Sequence, residues 1–502
     1  MTFSEAWESA CQFSLFGLTA LAIWYATTAF FSWWRMRHIP GPFLASFSYL
    51  WLAYVQRSGR MGEIYRDLPA KYGPVVRIGP NEVTTSDAPA IRKLNAARSK
   101  YIRDPWYRGG RWNPYVLHMF NELEQGPHDA LKGRLINAYS GKDVDGLEAL
   151  VDEQIKDLLD LLRRKSEANH GKVDMASICS YFTLDVITKA GTGEAFGFLR
   201  TDSDVFGFIA ELKGVWGIMG LTLDIPLLRN ILYSDTFLRL LGPSKKDHSG
   251  FGKLMRLASD IVERRFVAGA PDQRDMLGSF IRNGLTQIEC ELECVFTITA
   301  GSDNTATAIR ITLLNVISNP RVYARLKQEI FDAVRHGRAS SPVMMDEAKA
   351  LPYLQAVIYE GLRMRAPTPG LFLKTAPPEG DRIAGKSIPA GVGVGTNSSA
   401  VLASQELFGD DADTFRPERF LEVSRARRAD MERDVEVVFG YGRWACMGKN
   451  IVWLELHKVL FELFRHFDFQ LVNATKPWES ESWQVWVESD FWVLASESKT
   501  DY

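Results

Sequence analysis

The cysteine whose surroundings suit chemistry is Cys446, in the stretch FGYGRWACMGKN from Phe439 to Asn450. Glycines stand at 440, 442 and 448, and glycine lets the backbone take positive φ and lets another group approach closely. The residues that follow, NIVWLELHKVLFELFRHF, have helical apolar spacing, so a loop enters a helix at the cysteine. Free N–H groups and the positive helix end favour a thiolate there. Such a thiolate is a metal ligand or a nucleophile. The plain alternative is an inert buried cysteine, since free cysteine is among the most buried residue types.

Residue spacing takes the argument further. Phe439, Gly442, Cys446 and Gly448 follow F-x-x-G-x-x-x-C-x-G, which resembles the haem-binding loop of the cytochromes P-450, the haem-thiolate monooxygenases. The segment AGSDNT, Ala300 to Thr305, resembles the oxygen-activation motif of that family's long central helix. By that resemblance Asp303 routes protons inward, and Thr305 matches the second hydroxyl position. Asn304 stands where the family normally has threonine. Its amide donates and accepts hydrogen bonds but does not readily titrate. Three readings follow: it orders a water chain, a substrate hydroxyl substitutes for it, or the reaction depends less on the proton relay. The mid-helix Gly301 costs about 1 kcal/mol against alanine. Room beside an iron-bound ligand is a physical reason to tolerate it.

Further matches occur in the family's order. Glu360 and Arg363 form E-x-x-R, three apart and so neighbours on one helix face. The segment DTFRPERF, Asp413 to Phe420, resembles the P-E-R-F segment. The resemblance makes Arg416 the third member of a brace with Glu360 and Arg363 that holds the cysteine loop. His128 and Lys132, four apart, occupy the positions of a Trp and an Arg that meet a haem propionate. Lys374 matches an Arg on the other propionate. The basic residue two before the cysteine is missing, because that position is Trp444; Arg443 precedes it and shares the load. Phe439 and the backbone around Gly448 would shield and hydrogen-bond the sulfur.

These residues need elements to position them. The chain has 502 residues and a net charge of −2 from 59 basic and 61 acidic side chains. That balance gives no bulk attraction to nucleic acid. Five cysteines, an odd and sparse set, argue for a reducing compartment without a disulfide framework. Cys290 and Cys294 share a helix face and read as core. Phe13 to Trp34 carries no charge over 22 residues, about 33 Å as a helix, or one bilayer core. Arg35 and Arg37 follow, so the C-terminal bulk faces the cytosol. The acidic start with Glu5 and Glu8 favours an uncleaved anchor over a signal peptide. Sequons at Asn397 and Asn473 would then stay unmodified. Residues 1–37 are therefore read as a membrane anchor, and 38–502 as the catalytic domain behind a proline hinge at Pro40 and Pro42.

Short β-like runs occur at 75–79 and 82–86, and Tyr101 to Gln125 reads as irregular. From 126 to 140 and from Leu147 onward the pattern is helical. Gly207 to Leu232 is apolar and glycine-interrupted, where the family has a lid. Thr286 and Glu289 fit a capping box opening a helix that runs to about Ser318. SWQVWVES and DFWVLAS near the end read as a hairpin. The fold expected is mainly α with small β-sheets, a cytochrome P-450 fold preceded by one N-terminal transmembrane helix.

The resemblance implies haem b with Cys446 as axial thiolate, which favours O–O cleavage. It implies insertion of one oxygen atom of O2 into a lipophilic small molecule, with electrons from NADPH through a reductase docking on the cysteine side. It also implies an endoplasmic reticulum membrane protein with a cytosolic catalytic domain. The motifs look most like fungal members of natural-product pathways. Asn304 leaves open a haem-thiolate catalyst of rearrangement, dehydration or coupling without oxygen insertion. A membrane-tethered haem carrier is the non-enzymatic alternative.

Overall fold

One of the cations named above, Lys374, sits on a five-stranded sheet. Its strands are β1 (Val75–Arg77), β2 (Glu82–Thr85), β3 (Ile102–Arg103), β4 (Lys374–Thr375) and β5 (Gly393–Thr396), in the order β1-β2-β5-β4-β3. β2 and β5 run parallel. β3 and β4 run antiparallel, with Arg103 directly opposite Lys374. The computed structural model describes residues 3–168 and 170–498, with side chains from residue 16 onward. A hairpin near the C-terminus joins β6 (Glu479–Ser482) to β7 (Trp486–Ser489). The segment Trp492–Glu497, expected in that hairpin, instead pairs with Lys172–Asp174 and Phe467–Leu471. The bend near Asp490, at φ 57°, redirects the chain between the two sheets.

The helices that matter for the site are α1 (Phe3–Met36), α2 (Leu50–Ser58), α3 (Gln125–Tyr139), α4 (Met175–Thr192), α5 (Phe208–Asp224), α6 (Pro226–Leu232), α7 (Asp235–Leu241), α8 (Gln287–Ile317), α9 (Pro352–Met364) and α10 (Lys449–His466). The architecture is thus mainly α with small sheets. α8 opens on the capping box of Thr286 and Glu289, and Asn319 caps the helix that begins at Pro320. It is buried along most of its length, as a helix through the centre of a large core must be. Glycines let its neighbours approach. A Cβ on Gly361 of α9 would lie 1.9 Å from Thr312 Oγ1, and one on Gly301 would lie 2.7 Å from Ile187 Cγ1 of α4. Gly301 therefore serves the close crossing of α8 and α4, which corrects the expectation that it clears room for a ligand.

The N-terminal helix exposes Phe16, Leu18, Leu21, Ile23 and Trp24. Its end is fastened to the sheet. Met36 and Ile39 are buried with Val75 and Val83. The Arg77 guanidinium donates to Ser32 Oγ, Ser46 O and Pro80 O at 3.0–3.1 Å. Among the described residues, Val205–Asp224 is long and apolar enough to cross a membrane by length and composition. The side chains of Glu5, Glu8, Cys11 and Phe13 lie outside the described ones. The lid region, read as a soft glycine-containing stretch from Gly207 to Leu232, is helical: α5, with Gly214, Gly217 and Gly220 inside it, and then α6 after a break at Ile225.

Candidate functional site

Cys446 lies just before α10, whose N-cap is Gly448. Its own N–H donates to Phe439 O at 2.7 Å, which closes the loop on itself. Gly440 and Gly442 take φ of 66° and 61°. A Cβ at 442 would also lie 2.2 Å from Asn95 O. The sulfur is accessible, but the protein around it displaces enough water to raise its pKa. The N–H groups of Gly448 and Lys449 and the charges of Lys132 and Lys449 pull the other way without prevailing. The helix end thus favours the thiolate, as the sequence suggests, while burial opposes it.

The loop is seated by a buried ion network. Arg363 on α9 forks onto Glu360, with Nε to Oε2 at 2.6 Å and Nη2 to Oε1 at 2.8 Å. It also donates to the carbonyls of Leu402, Ala412 and Thr414. The third member of the brace is Arg419, whose Nε lies 3.0 Å from Glu360 Oε1. Arg416 contributes only its backbone N–H to Glu360, at 2.8 Å. Its side chain turns to Asp411 and Glu422 at the surface. This corrects the expected brace: Glu360 accepts the guanidinium that lies inside, and Arg416 has carboxylates outside. Tyr359 carries the order onward, 4.9 Å from the Trp453 ring on α10, which lies 5.8 Å from Phe439.

Beside the loop, Trp444 is ringed by basic groups. Lys374 Nζ lies 4.1 Å from its ring centroid, the Arg103 guanidinium 4.2 Å, and the His128 ring 4.2 Å. Lys374 is 2 % exposed, and its Nζ has no hydrogen-bond acceptor among the described residues. Burial and the Arg103 charge bring its pKa down to about 6. Burial likewise brings Arg103 down to about 10. Arg103 Nη1 reaches the carbonyls of Met119, Phe120 and Glu122, and its Nε reaches nothing. Like charges directly opposite on paired strands are destabilising, as is a buried donor without an acceptor. An anionic group with two carboxylates meets both deficits. The cluster therefore fits the propionate side of a haem whose iron faces Cys446.

The other expected cofactor residues divide. Lys132 Nζ donates to Arg443 O at 2.6 Å and ties α3 to the loop; burial lowers its pKa. Burial and four neighbouring cations hold His128 down to about 3, so it is a neutral imidazole. Arg443 turns away to pair with Asp129 and to donate to Ala97 O. That corrects its place among the propionate groups, because Asp129 already neutralises it. Arg103 was missed from sequence. A two-residue strand has no periodicity, and its sheet partner lies 271 positions on.

On α8, Asn304 Nδ2 donates to Ala300 O at 3.0 Å, and its buried Oδ1 has no donor among the described residues. Thr305 is buried. Asp303 accepts from Trp216 Nε1 of α5 at 3.3 Å. Burial raises the Asp303 pKa, opposed chiefly by Arg310. Arg310 and Thr307 bond Glu488 Oε2 of β7 at 2.9 and 3.0 Å. Arg365 bonds Glu488 Oε1 at 3.2 Å. That hub, also missed from sequence, fixes the hairpin against α8.

Residues 39–493 match the family described as Cytochrome P450. The chain is 48 % identical over 474 residues to "Cytochrome P450 monooxygenase aba1" of Botryotinia fuckeliana, covering 93 % of each chain. It is 45 % identical over 490 residues to "Cytochrome P450 monooxygenase abl1" of Leptosphaeria maculans, covering 95 % of this chain and 85 % of that one. It is 29 % identical over 476 residues to "Pisatin demethylase" of Fusarium vanettenii, covering 92 % and 90 %.

Proposed function

The chain belongs to the cytochrome P450 family, and from that membership we propose which of its residues serve the monooxygenase reaction. It is a haem-thiolate monooxygenase of fungal secondary metabolism. Haem, when bound, supplies the activation of O2 that puts one oxygen atom into the substrate and the other into water.

Cys446 is the residue that would hold the iron, and the positive metal centre lowers the thiol pKa where the protein alone does not. Arg103 and Lys374 would hold one side of the propionate edge, with the neutral His128 and the Lys132 ammonium nearby. Phe439 and the N–H groups after Gly448 surround the sulfur. The Glu360–Arg363–Arg419 brace would support the loop from behind, through the Tyr359, Trp453 and Phe439 rings. The observation that carries this reading is the buried, unpartnered Lys374 amine set opposite Arg103 beside the cysteine loop.

The distal residues handle protons. Burial lets Asp303 hold and release a proton nearer neutrality than a surface aspartate does. The Asn304 amide is already committed through Nδ2, which leaves Oδ1 as an acceptor for a water or a substrate hydroxyl. That favours the water-ordering reading of Asn304 over a reaction without a relay. The substrate is a lipophilic small molecule, and electrons reach the site from NADPH through a reductase. Support for the N-terminal anchor comes from the exposed apolar side chains of α1, the arginines at 35 and 37, and the Arg77 clamp at its base. Removal of residues 1–37 is expected to release the protein from microsomal membranes.

The experiment is expression with a reductase under isotopically labelled O2, with an untargeted search for consumed metabolites. One labelled oxygen atom in the product is expected. Product formed without O2 would replace oxygen insertion by rearrangement or dehydration.

A further inference from the structure

α5 lies over the reacting centre through Trp216, which bonds Asp303, and it ends at Asp224. That carboxylate is buried and collects donors from three other parts of the chain. Oδ1 accepts from Trp106 Nε1 at 2.8 Å and from Gln484 Nε2 at 3.2 Å, and Oδ2 accepts from Gln56 Nε2 at 2.6 Å. Trp106 lies in the short turn after β3, Gln484 at the tip of the β6–β7 hairpin, and Gln56 on α2. We propose that Asp224 is a positioning residue that latches α5 shut over the active site, so that substrate enters only when these three bonds part. The proposal rests on the reading that the site lies between α8 and the Cys446 loop.

The packing around the latch is of a kind that separates. α5 buries Phe208, Leu212, Trp216 and Leu223, but the half that leads to the latch also meets its neighbours across glycines. Gly217 faces Trp483, Gly220 faces Gln56 and Trp483, and Gly109 faces Leu223. At its other end, Phe206 and Gly207 take successive left-handed conformations, φ 59° and 65°, which bend the chain just before the helix. Beyond Asp224, α6 and α7 bury only Arg229 and Leu238, and expose Leu227, Ile231, Leu240 and Leu241. The segment from α5 to α7 is thus held to the body mainly through α5.

A carboxylate hub suits two states. Fully bonded it is satisfied when closed, and hydrated it is satisfied when open. Partly bonded it is buried without its full set of partners, which is costly. Gln56 Oε1 and Gln484 Oε1 have no donors in the closed arrangement, and that limits how strongly closure is favoured.

The test compares the natural protein with Asp224→Leu, and with Gln484→Leu, which removes one donor and leaves the carboxylate its other two. Amide hydrogen exchange over residues 206–241 is read first, since it needs no bound haem. Exchange is expected to quicken by roughly tenfold or more in Asp224→Leu and by less in Gln484→Leu, because local opening sets the rate. In the haem-loaded protein, association of clotrimazole, a bulky azole, is expected to quicken similarly, while that of imidazole stays within about twofold. Unchanged exchange in both variants, or equal acceleration of both azoles, would overturn the latch. An azole spectral response missing from the natural protein would instead count against the haem assignment, with the exchange result still deciding the latch.

Discussion

Around Glu360, two guanidinium groups share one carboxylate, and their remaining donors all end on carbonyls or Asp411. Around Trp444, Arg103 and Lys374 face each other across a strand pair with no carboxylate between them. Both clusters are buried and built from the same cationic side chains. The first is complete within the chain, so it fixes one geometry for the cysteine loop. The second leaves Arg103 Nε and Lys374 Nζ without acceptors among the described residues, so folding alone does not satisfy it. A closed network marks structure and an open one marks a ligand, and both lie within reach of one loop.

The largest expected effect falls on the closed network. Arg419→Ala strips Glu360 of one buried partner and should destabilise the fold by about 3–5 kcal/mol in urea unfolding. Arg416→Ala should cost under about 1 kcal/mol, since its side chain pairs only at the surface. Equal effects would mean that the Arg416 side chain supports the fold as much as Arg419 does.

Glu293 extends the comparison to an acid. It is buried with one bond from Met119 N, and burial, which that bond and the Arg134 charge do not offset, pushes its pKa up to about 8. The folded state therefore binds a proton that the unfolded state has released between roughly pH 4.5 and 8. Stability should fall as pH rises through that window. Glu293→Gln should flatten the fall by about 2–4 kcal/mol when melting is followed from pH 5 to 8. A variant with the natural slope would show that Glu293 is ionised when folded.

The open cluster should answer with two signs. Lys374→Met removes an unpartnered buried amine, so the haem-free protein should gain about 1–3 kcal/mol. The loaded protein should lose haem to a scavenger roughly tenfold faster. A loss of stability in both forms would make Lys374 a structural group. Smallest of all, Arg443→Gln should change haem loss by less than about twofold, because that guanidinium is engaged with Asp129.

Much of this was legible in the residues. The cysteine loop, the capping box of α8, the α9 pair and the mainly helical layout follow from spacing and local chemistry. Lys374 was placed by resemblance, and its isolation shows why the position matters. The rest depended on pairings that a linear chain does not display. Arg103 meets Lys374 only through sheet register. Arg419 displaces Arg416 because one faces inward and the other outward within a single 3-10 turn region. Gly301 looked like space for a ligand until the α4 crossing supplied Ile187. Asp224 and Glu488 gather partners from segments hundreds of residues apart, and no local pattern announces them.

The account turns on Cys446 binding iron as a thiolate. Reducing the haem-loaded protein, adding carbon monoxide and recording the Soret band tests this directly. The band is expected at the long wavelength that a thiolate opposite carbon monoxide produces, and Cys446→Ser should abolish it. A natural protein without that band, or a Cys446→Ser protein that keeps it, would contradict the account.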